Sequence, residues 1–212
     1  MVPERNDGFL NAEQWDCLLP KSDPKRDFLL EGVKHGFKLS ANHFRACDLD
    51  KPDPSRPVLM KNYYSAFKYR HAVENQILEE LENGRYIFSK DQPSIVSAIG
   101  AIPKKNGGVR IIHDCSRPNG KAVNDYAIKE KFKYQTLQSA IEMVSPGDFL
   151  AKVDLQSAYR SVKVSPSERD RLGMSWVFEG AVHPYFMTDT CLPFGHTRSP
   201  YIFNELSQAV VR

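Results

Sequence analysis

The chain has 212 residues, of which 41% are hydrophobic and 26% charged, and its formal net charge at pH 7 is +3. This composition excludes a wholly disordered chain and predicts one sizeable hydrophobic core or two small ones. The four cysteines form no CxxC pair, which argues against a zinc ribbon or a disulfide framework. Because neither a signal-peptide pattern nor a membrane-spanning apolar run occurs, we expect an intracellular protein, cytoplasmic or nuclear, with no membrane partner.

The predicted elements begin with a weakly patterned region. Residues 1–60 are rich in Pro, Asp and Lys and show little periodicity outside FLLEGVKHGFKL, so we expect them to be loosely organised. The next segment has apolar residues at helical spacing, namely Tyr69, Val73, Ile77 and Leu81. With Gly84 as a C-terminal cap, this spacing predicts a helix over HAVENQILEELENG.

A β-hairpin is predicted next. Two apolar runs, SIVSAIGAIPKK and VRIIHDC, are separated by Asn106-Gly107-Gly108, and these residues tolerate the positive φ of a tight turn. The tip of the hairpin carries Lys104, Lys105 and Arg110. Residues 101–133 hold eight basic and three acidic side chains, a net charge of +5, which favours a local anion-binding site. A solvated basic face is the alternative interpretation.

The second half of the chain predicts a short helix over TLQSAIEMV, with Gly147 after it, and then a strand over FLAKVDL. The strand ends at Asp154. Further on, Ser165-Pro166-Ser167-Glu168 has capping-box spacing with Pro at the first helical position.

A last helix is predicted over SPYIFNELSQAVVR, with Ser199 as its N-cap and Pro200 at its first position. Phe203, Leu206 and Val210 recur on one face of this helix.

The basic hairpin tip and the acidic strand end suit one chemistry when they are taken together. Cations and backbone N–H groups on a Gly-rich loop can surround a triphosphate, and a carboxylate suits the Mg²⁺ that accompanies it. Taken singly, each has a plainer interpretation: a solvated tip, and an aspartate that caps a turn. A Walker loop is excluded, because GxxxxGK[ST] does not occur.

Five motifs follow one another along the chain: AIPKKNGGVRIIHDCSRPNG, VND, FLAKVDLQSAYRSVKVSP, LGMSWVFEG, and YFMTDTCLPFG followed by SPYIF. This ordered series resembles the fingers and the first half of the palm of a reverse transcriptase, most closely the retroelement polymerases of the DIRS type. The likeness runs from about residue 60 to residue 206. It implies an α+β fold with fingers at about 61–128 and 162–198 and an incomplete palm at about 129–161 and 199–212.

The resemblance implies roles for three residues of the palm. Asp154 matches the aspartate that binds both catalytic metals, Mg²⁺ or Mn²⁺, and the carbonyl of Leu155 would reach the second metal. Tyr159 matches the aromatic residue that lies beneath the incoming sugar and excludes a 2′-hydroxyl.

Roles in the fingers follow in the same way. Lys104 or Lys105, whichever the loop presents, and Arg110 match the residues that hold the triphosphate of a deoxynucleoside triphosphate. The other lysine would touch the phosphates of an RNA or DNA template-primer. Asp114 matches a position that braces Arg110 or its loop, which is a structural role.

The loop Leu192-Pro193-Phe194-Gly195 matches the family segment that packs on the nascent base pair, where Phe194 and Gly195 shape the nucleotide pocket. After it the chain departs from the family pattern, because His196-Thr197-Arg198-Ser199 stands where a Leu, a polar or basic residue, Ser and Ala are usual. Arg198 is the candidate nucleic-acid contact in this segment.

A second departure concerns the metals. The family has a further motif of paired aspartates, and no Asp-Asp pair occurs in this chain. One carboxylate cannot fix two ions about 3.5–4 Å apart. We therefore expect a fragment of an RNA-directed DNA polymerase that is inactive as it stands; the alternative is a non-catalytic remnant that at most binds nucleic acid or nucleotide.

Overall fold

The computed structural model describes residues 9–40, 57–105, 108–152, 154–155 and 157–211. In that part of the chain the α-helices are α1 (Ala12–Leu18), α2 (Arg26–His35), α3 (Tyr64–Lys68), α4 (Arg70–Glu82), α5 (Leu137–Met143) and α6 (Ser199–Val211). The strands are β1 (Val58–Leu59), β2 (Tyr86–Phe88), β3 (Ile95–Val96), β4 (Ile99–Pro103), β5 (Val109–His113), β6 (Gly173–Trp176) and β7 (Tyr185–Asp189). Short 3₁₀ helices form at Val123–Tyr126, Ala158–Ser161 and Pro166–Arg171. Of the helices just named, none has the length and apolar character that crossing a membrane requires.

The strands form two sheets. The larger one has five strands in the order β1-β3-β6-β7-β2, in which β3 pairs in parallel with β1 and β6 while β7 pairs antiparallel with β6 and β2. The smaller sheet is the antiparallel pair β4–β5. Helices and mixed sheets together give the α+β fold that the motif series implied.

The predicted hairpin is confirmed. Its register pairs Ile99 with His113 and Pro103 with Val109. Near the tip, the N–H of Lys104 donates to the carbonyl of Gly108 over 3.1 Å, and Gly108 has a φ of 71°. Because glycine adopts positive φ without steric cost, the chain can reverse here.

The helix predicted after residue 69 is also confirmed, as α4. Gly84 follows it with a φ of 66°, as expected for a glycine that ends a helix. Val73 and Ile77 are fully buried on the face that packs against the hairpin and against Trp176 of β6. Burial of each such side chain contributes roughly 1.5–3 kcal/mol.

The N-terminal helices α1 and α2 were not predicted from the sequence. Leu29, Phe37 and Leu39 are buried in one hydrophobic cluster with Val164 and Ile202, so residues 26–39 pack on the rest of the molecule. Residues 1–8 and 41–56 of the region expected to be loosely organised lie outside the described part of the chain. The boundary near residue 60 stays a prediction.

The predicted strand over FLAKVDL is wrong for the residues that the structure describes. Residues 149–152 and 154–155 belong to no strand, and the side chains of Phe149 and Leu150 are 102% and 78% exposed. A strand needs a neighbour for its N–H and C=O groups. No strand of the described part of the chain pairs with this segment, so Phe149 and Leu150 remain in solvent.

The capping box predicted at residues 165–168 is also wrong. Pro166 begins a 3₁₀ helix, and the Ser165 side chain makes no capping hydrogen bond. The Glu168 carboxylate instead accepts from the N–H and the hydroxyl of Ser40, over 3.2 and 2.7 Å. A partner distant in sequence thus replaces the local cap.

The last two predicted helices form where expected. Thr136 caps α5 by accepting from the N–H of Ser139 over 3.1 Å. Helix α6 begins at Ser199, but its buried face differs in part from the predicted stripe. Leu206 is buried as predicted, whereas Val210 is 70% exposed and Ile202 is buried instead.

Candidate nucleotide-binding cleft

A cleft of about 450 Å³ opens between the hairpin, helix α4 and the 3₁₀ helix Ala158–Ser161. We call this 3₁₀ helix the Tyr159 turn, and residues 192–195 the LPFG loop. The predicted site residues that line the cleft are Lys104, Arg110, Leu155 and Phe194. Three separate segments of sequence therefore meet in one concave site.

The hairpin supplies two cations to the cleft. Lys104 and Arg110 line it, and both are exposed to solvent. Neither forms an ion pair within the part of the chain that the structure describes, so their charges remain available to an anion. Lys105 is exposed but does not line the cleft, and of the two lysines the structure therefore presents Lys104. The guanidinium carbon of Arg110 lies 5.5 Å from the ring centroid of Phe194.

Tyr159 lies against the LPFG loop. Its ring stacks on Phe194 with centroids 5.1 Å apart and an interplanar angle of 17°, and it also contacts the ring of Phe203, with centroids 5.3 Å apart. Burial raises the pKa of Tyr159 to about 12, helped by a hydrogen bond with Tyr134. Both rings of the stacked pair are uncharged at neutral pH. Phe194 lines the cleft, whereas Tyr159 does not line it and lies against Phe194.

Gly195 has a conformation that excludes side chains. Its φ is 122°, and a Cβ at this position would lie 2.1 Å from the carbonyl oxygen of His113. The N–H of His113 also donates to the carbonyl of Phe194 over 3.1 Å. The LPFG loop is thus pressed directly onto strand β5, which carries Arg110.

Asn124, in the VND motif, braces the same loop. Its side-chain amide donates to the carbonyl of Gly195 over 2.9 Å and to the hydroxyl of Ser116 over 3.0 Å, and its oxygen accepts from the N–H of Thr197 over 2.9 Å. No role was predicted for this motif from the sequence. The position of VND in the ordered series of motifs could have indicated that Asn124 has a role.

A buried ionic cluster, which was not predicted from the sequence, forms one wall of the cleft. Arg160, 7% exposed, donates to Glu80 over 2.9 Å and to both carboxylate oxygens of Asp189 over 2.9 and 2.8 Å. Burial by itself would lower the pKa of Arg160, but the neighbouring Asp189 and Glu80 raise it well above its ordinary value. The guanidinium is therefore permanently charged and held between two carboxylates.

Asp154, the predicted metal ligand, is exposed and makes no hydrogen bond or ion pair with any described residue. Leu155 lines the cleft, although Asp154 does not. Among the described residues no three His, Cys, Asp or Glu side chains are grouped as metal ligands. One carboxylate and one backbone carbonyl are too few donors for two metal ions, so the donor set here does not fit the pair.

Arg198 is placed differently from a nucleic-acid contact. It is 7% exposed, its guanidinium donates to the Glu130 carboxylate over 3.0 and 3.1 Å, and it also donates to the carbonyl of Lys38. The guanidinium therefore donates on both of its sides to acceptors that belong to the protein itself. Nothing in the surroundings of Arg198 supports the predicted contact with nucleic acid.

Asp114 has the structural role expected of it, but through other partners. Its carboxylate accepts from the hydroxyl of Tyr63 and, over 3.0 Å, from the N–H of Ser116. Asp114 therefore fixes the segment that follows β5, and no bond to Arg110 is seen.

Solved structures of reverse transcriptases share the fold, among them three of foamy viral enzymes. A foamy viral protease-reverse transcriptase in complex with double-stranded DNA superposes with a TM-score of 0.60 at 14% identity, covering 94% of this chain and 34% of that one. The prototype foamy virus protease-reverse transcriptase matches with a TM-score of 0.60 at 15% identity, covering 94% and 26%. A second complex of the foamy viral enzyme with double-stranded DNA gives 0.58 at 16%, covering 94% and 41%.

At these identities the likeness establishes the fold alone, which is that of reverse transcriptase fingers and palm. The chain spans between 26% and 41% of the length of these proteins. No protein-family model matches the sequence, and no curated protein matches it.

Proposed function

We propose that this chain is the fingers and first part of the palm of an RNA-directed DNA polymerase, and that its cleft binds a deoxynucleoside triphosphate. One observation carries the proposal: Lys104 and Arg110 share a cleft with Phe194, and the Tyr159 ring is stacked on Phe194. The site thus combines an aromatic ring pair with cations that form no ion pair with any described residue, and these are groups that can bind a nucleotide.

Each part of the nucleotide has a proposed partner. The triphosphate lies between Lys104 and Arg110, where two unpaired cations offset its dispersed negative charge. The sugar lies over Tyr159, whose ring leaves no room for a 2′-hydroxyl. The base contacts Phe194, and Gly195 allows the loop to approach the hairpin closely enough to close this side of the cleft.

A divalent metal, Mg²⁺ or Mn²⁺, remains a proposal for Asp154 and Leu155. Bound there, it would supply charge stabilisation to phosphoryl transfer. Because the described donors do not fit two ions, the pair of metals needs carboxylates beyond those described here. What Asp154 itself offers is an exposed carboxylate that no described residue pairs with, one residue from the wall of the cleft.

The proposed nucleic-acid partner is an RNA or DNA template-primer. Two of the solved structures with this fold contain double-stranded DNA. Lys105, exposed beside the cleft residue Lys104, is the proposed contact to template phosphate. We further propose that the chain derives from a DIRS-like retroelement, is a fragment of its polymerase, and acts inside the cell.

The proposal is tested with the 212-residue chain and an RNA-DNA primer-template. We expect saturable binding whose affinity falls as the salt concentration rises. The Asp154→Asn variant should bind the primer-template as tightly as wild type, because a metal ligand does not set duplex affinity. Deoxynucleotide incorporation is measured on the same samples with Mg²⁺ or Mn²⁺. Failure to bind the primer-template would refute the proposal, and incorporation that persists in Asp154→Asn would refute the role of Asp154.

A further inference from the structure

The buried Arg160 cluster has no part in the roles assigned so far. Arg160 belongs to the Tyr159 turn and directly follows Tyr159 in sequence. Glu80 lies on α4 and Asp189 at the end of β7, so the guanidinium ties the turn to two other elements. All three residues are at most 7% exposed, and all three line the cleft.

The three residues of the cluster also contact the segments around the turn. Asp189 also accepts from the N–H of Cys191 over 2.9 Å, just before the LPFG loop begins. The guanidinium of Arg160 lies 5.1 Å from the Tyr86 ring centroid. On the other side, Glu80 accepts from the amide of Gln76 over 3.1 Å. The two segments that carry Tyr159 and Phe194 are therefore anchored to the same buried charges.

The turn itself needs such an anchor. It begins after Ser157, which has a φ of 53°, a left-handed conformation that costs free energy for a residue with a Cβ. A buried ion pair generally adds little net stability over apolar residues of similar volume, because desolvation of the charges opposes their attraction. We therefore expect the cluster to contribute more to the position of the Tyr159 turn than to the free energy of unfolding.

We propose that Arg160 is a positioning residue that, through Glu80 and Asp189, holds the Tyr159 ring nearly parallel to the cleft residue Phe194 and so fixes the proposed sugar contact beside the cleft. Arginine suits this task because its planar guanidinium can donate hydrogen bonds to two carboxylates at defined angles, whereas a lysine ammonium does not fix such angles. The part of the proposal that concerns the sugar rests on the proposed nucleotide-binding function. The part that concerns the position of Tyr159 does not.

The chain offers a matched pair of variants on one helix. Glu80→Gln removes one of the two carboxylate charges that Arg160 meets, with little change of shape; it also removes the longer ion pair of Glu80 with Arg85, at 3.9 Å. Glu74→Gln makes the same change at a second buried glutamate of α4, which is paired with Arg70 at 3.1 Å and accepts from Trp176 over 3.0 Å. Glu74 belongs to the core and does not line the cleft.

The first measurement is ¹⁹F NMR of the full chain labelled with fluorotyrosine, in which Tyr159→Phe identifies the Tyr159 resonance. We expect Glu80→Gln to shift or broaden that resonance while most other tyrosine signals stay in place. Glu74→Gln should leave the Tyr159 resonance unchanged. An unchanged Tyr159 signal in a folded Glu80→Gln protein would overturn the proposal.

If Glu80→Gln does not fold, Asp189→Asn is measured in the same way. Unfolding of both variants would show that the cluster holds the fold as a whole, and the positioning role would then be rejected. A Tyr159 shift of equal size in Glu74→Gln would also reject it, because the effect would not be specific to the cluster.

The second measurement compares the affinities of the chain for dATP and ATP by calorimetry. We expect wild type to prefer dATP, and Glu80→Gln to reduce that preference about fivefold or more while Glu74→Gln keeps it. If wild type binds neither nucleotide, the proposed function fails, and the NMR result still decides whether Arg160 positions Tyr159. If wild type discriminates and Glu80→Gln discriminates equally, the inference about the sugar is wrong while the proposed function stands.

Discussion

The rings of Tyr159 and Phe194 lie nearly parallel, with their centroids 5.1 Å apart and 17° between their planes. The contact joins the Tyr159 turn to the LPFG loop. Phe194 is in turn 5.5 Å from the guanidinium carbon of Arg110. Side chains from three separate segments thus lie in one row, and two of them, Phe194 and Arg110, line the cleft.

Replacement of Tyr159 by alanine tests the sugar assignment. Loss of the ring opens the space where a 2′-hydroxyl would lie, so we expect Tyr159→Ala to bind ATP about as well as dATP, whereas wild type favours dATP. Competition of the two nucleotides for the full chain measures this ratio. Tyr64→Ala, at a tyrosine that is 80% exposed, serves as the control. If Tyr159→Ala kept the wild-type ratio, Tyr159 would not contact the sugar.

Gly195→Ala tests the close approach of the LPFG loop to β5. The added Cβ would lie 2.1 Å from the carbonyl oxygen of His113, at a φ of 122°, so something must move. We expect the free energy of unfolding to fall by about 3 kcal/mol or more, combining backbone strain with the clash. Gly180→Ala is the matched control, because its φ is 79° and nothing lies within 4 Å. Chemical denaturation of both variants should show a clearly smaller loss for Gly180→Ala; equal losses would mean that the loop does not press on β5.

Neutralising the hairpin tip tests its role with nucleic acid. Replacement of Lys104, Lys105 and Arg110 by alanine should weaken primer-template binding to a similar degree for all sequences. The slope of log K against log salt should flatten by about 0.9 for each phosphate that the protein no longer neutralises. Replacement of Lys21, Lys34 and Lys90, which are exposed and do not line the cleft, removes the same charge and should preserve the slope. A slope that changes equally in both triple variants would show that only net charge matters.

The buried side chain of His196 should make the free energy of unfolding depend on pH in the acid range. Burial, with the neighbouring His113 and Arg198, lowers the pKa of His196 to about 4 from its ordinary value of 6.5. Between these two values the unfolded chain binds the proton more readily than the folded one, so the free energy of unfolding falls as pH falls. The loss from this residue is on the order of 3 kcal/mol across that window.

Denaturation from pH 7 to pH 4 measures this effect. His196→Gln should flatten the pH dependence, and His183→Gln, at an exposed histidine, should not change it. If His196→Gln kept the wild-type pH dependence, His196 would not be buried in its neutral form.

Local signals in the sequence predicted the elements whose geometry depends on near neighbours. The hairpin follows from two apolar runs around a glycine-rich turn, and α4 from apolar spacing that ends at Gly84. The segment 149–155 was predicted wrongly by the same reasoning. Its apolar residues are typical of a strand, but whether a strand forms depends on a pairing partner, and periodicity within one segment carries no information about that partner.

The Arg160 cluster shows the same limit at the site. Arginine side chains are mostly exposed in folded proteins, so Arg160 gave no signal of its own. Its partners Glu80 and Asp189 lie in other elements, and only the packing of α4 against β7 and the turn brings the three together. By contrast, the series of motifs resembles a known family, and that resemblance assigned Lys104, Arg110 and Phe194 to one site.

The central claim, that the cleft binds a deoxynucleoside triphosphate through the hairpin cations, is tested most directly by calorimetric titration of the full chain with dATP. We predict saturable binding at one site, competition by inorganic triphosphate, and at least a tenfold loss of affinity when Lys104 and Arg110 are both replaced by alanine. The paired replacement of Lys21 and Lys34 should leave the affinity unchanged. Absence of binding, or binding that the Lys104 and Arg110 replacements do not weaken, would contradict the account.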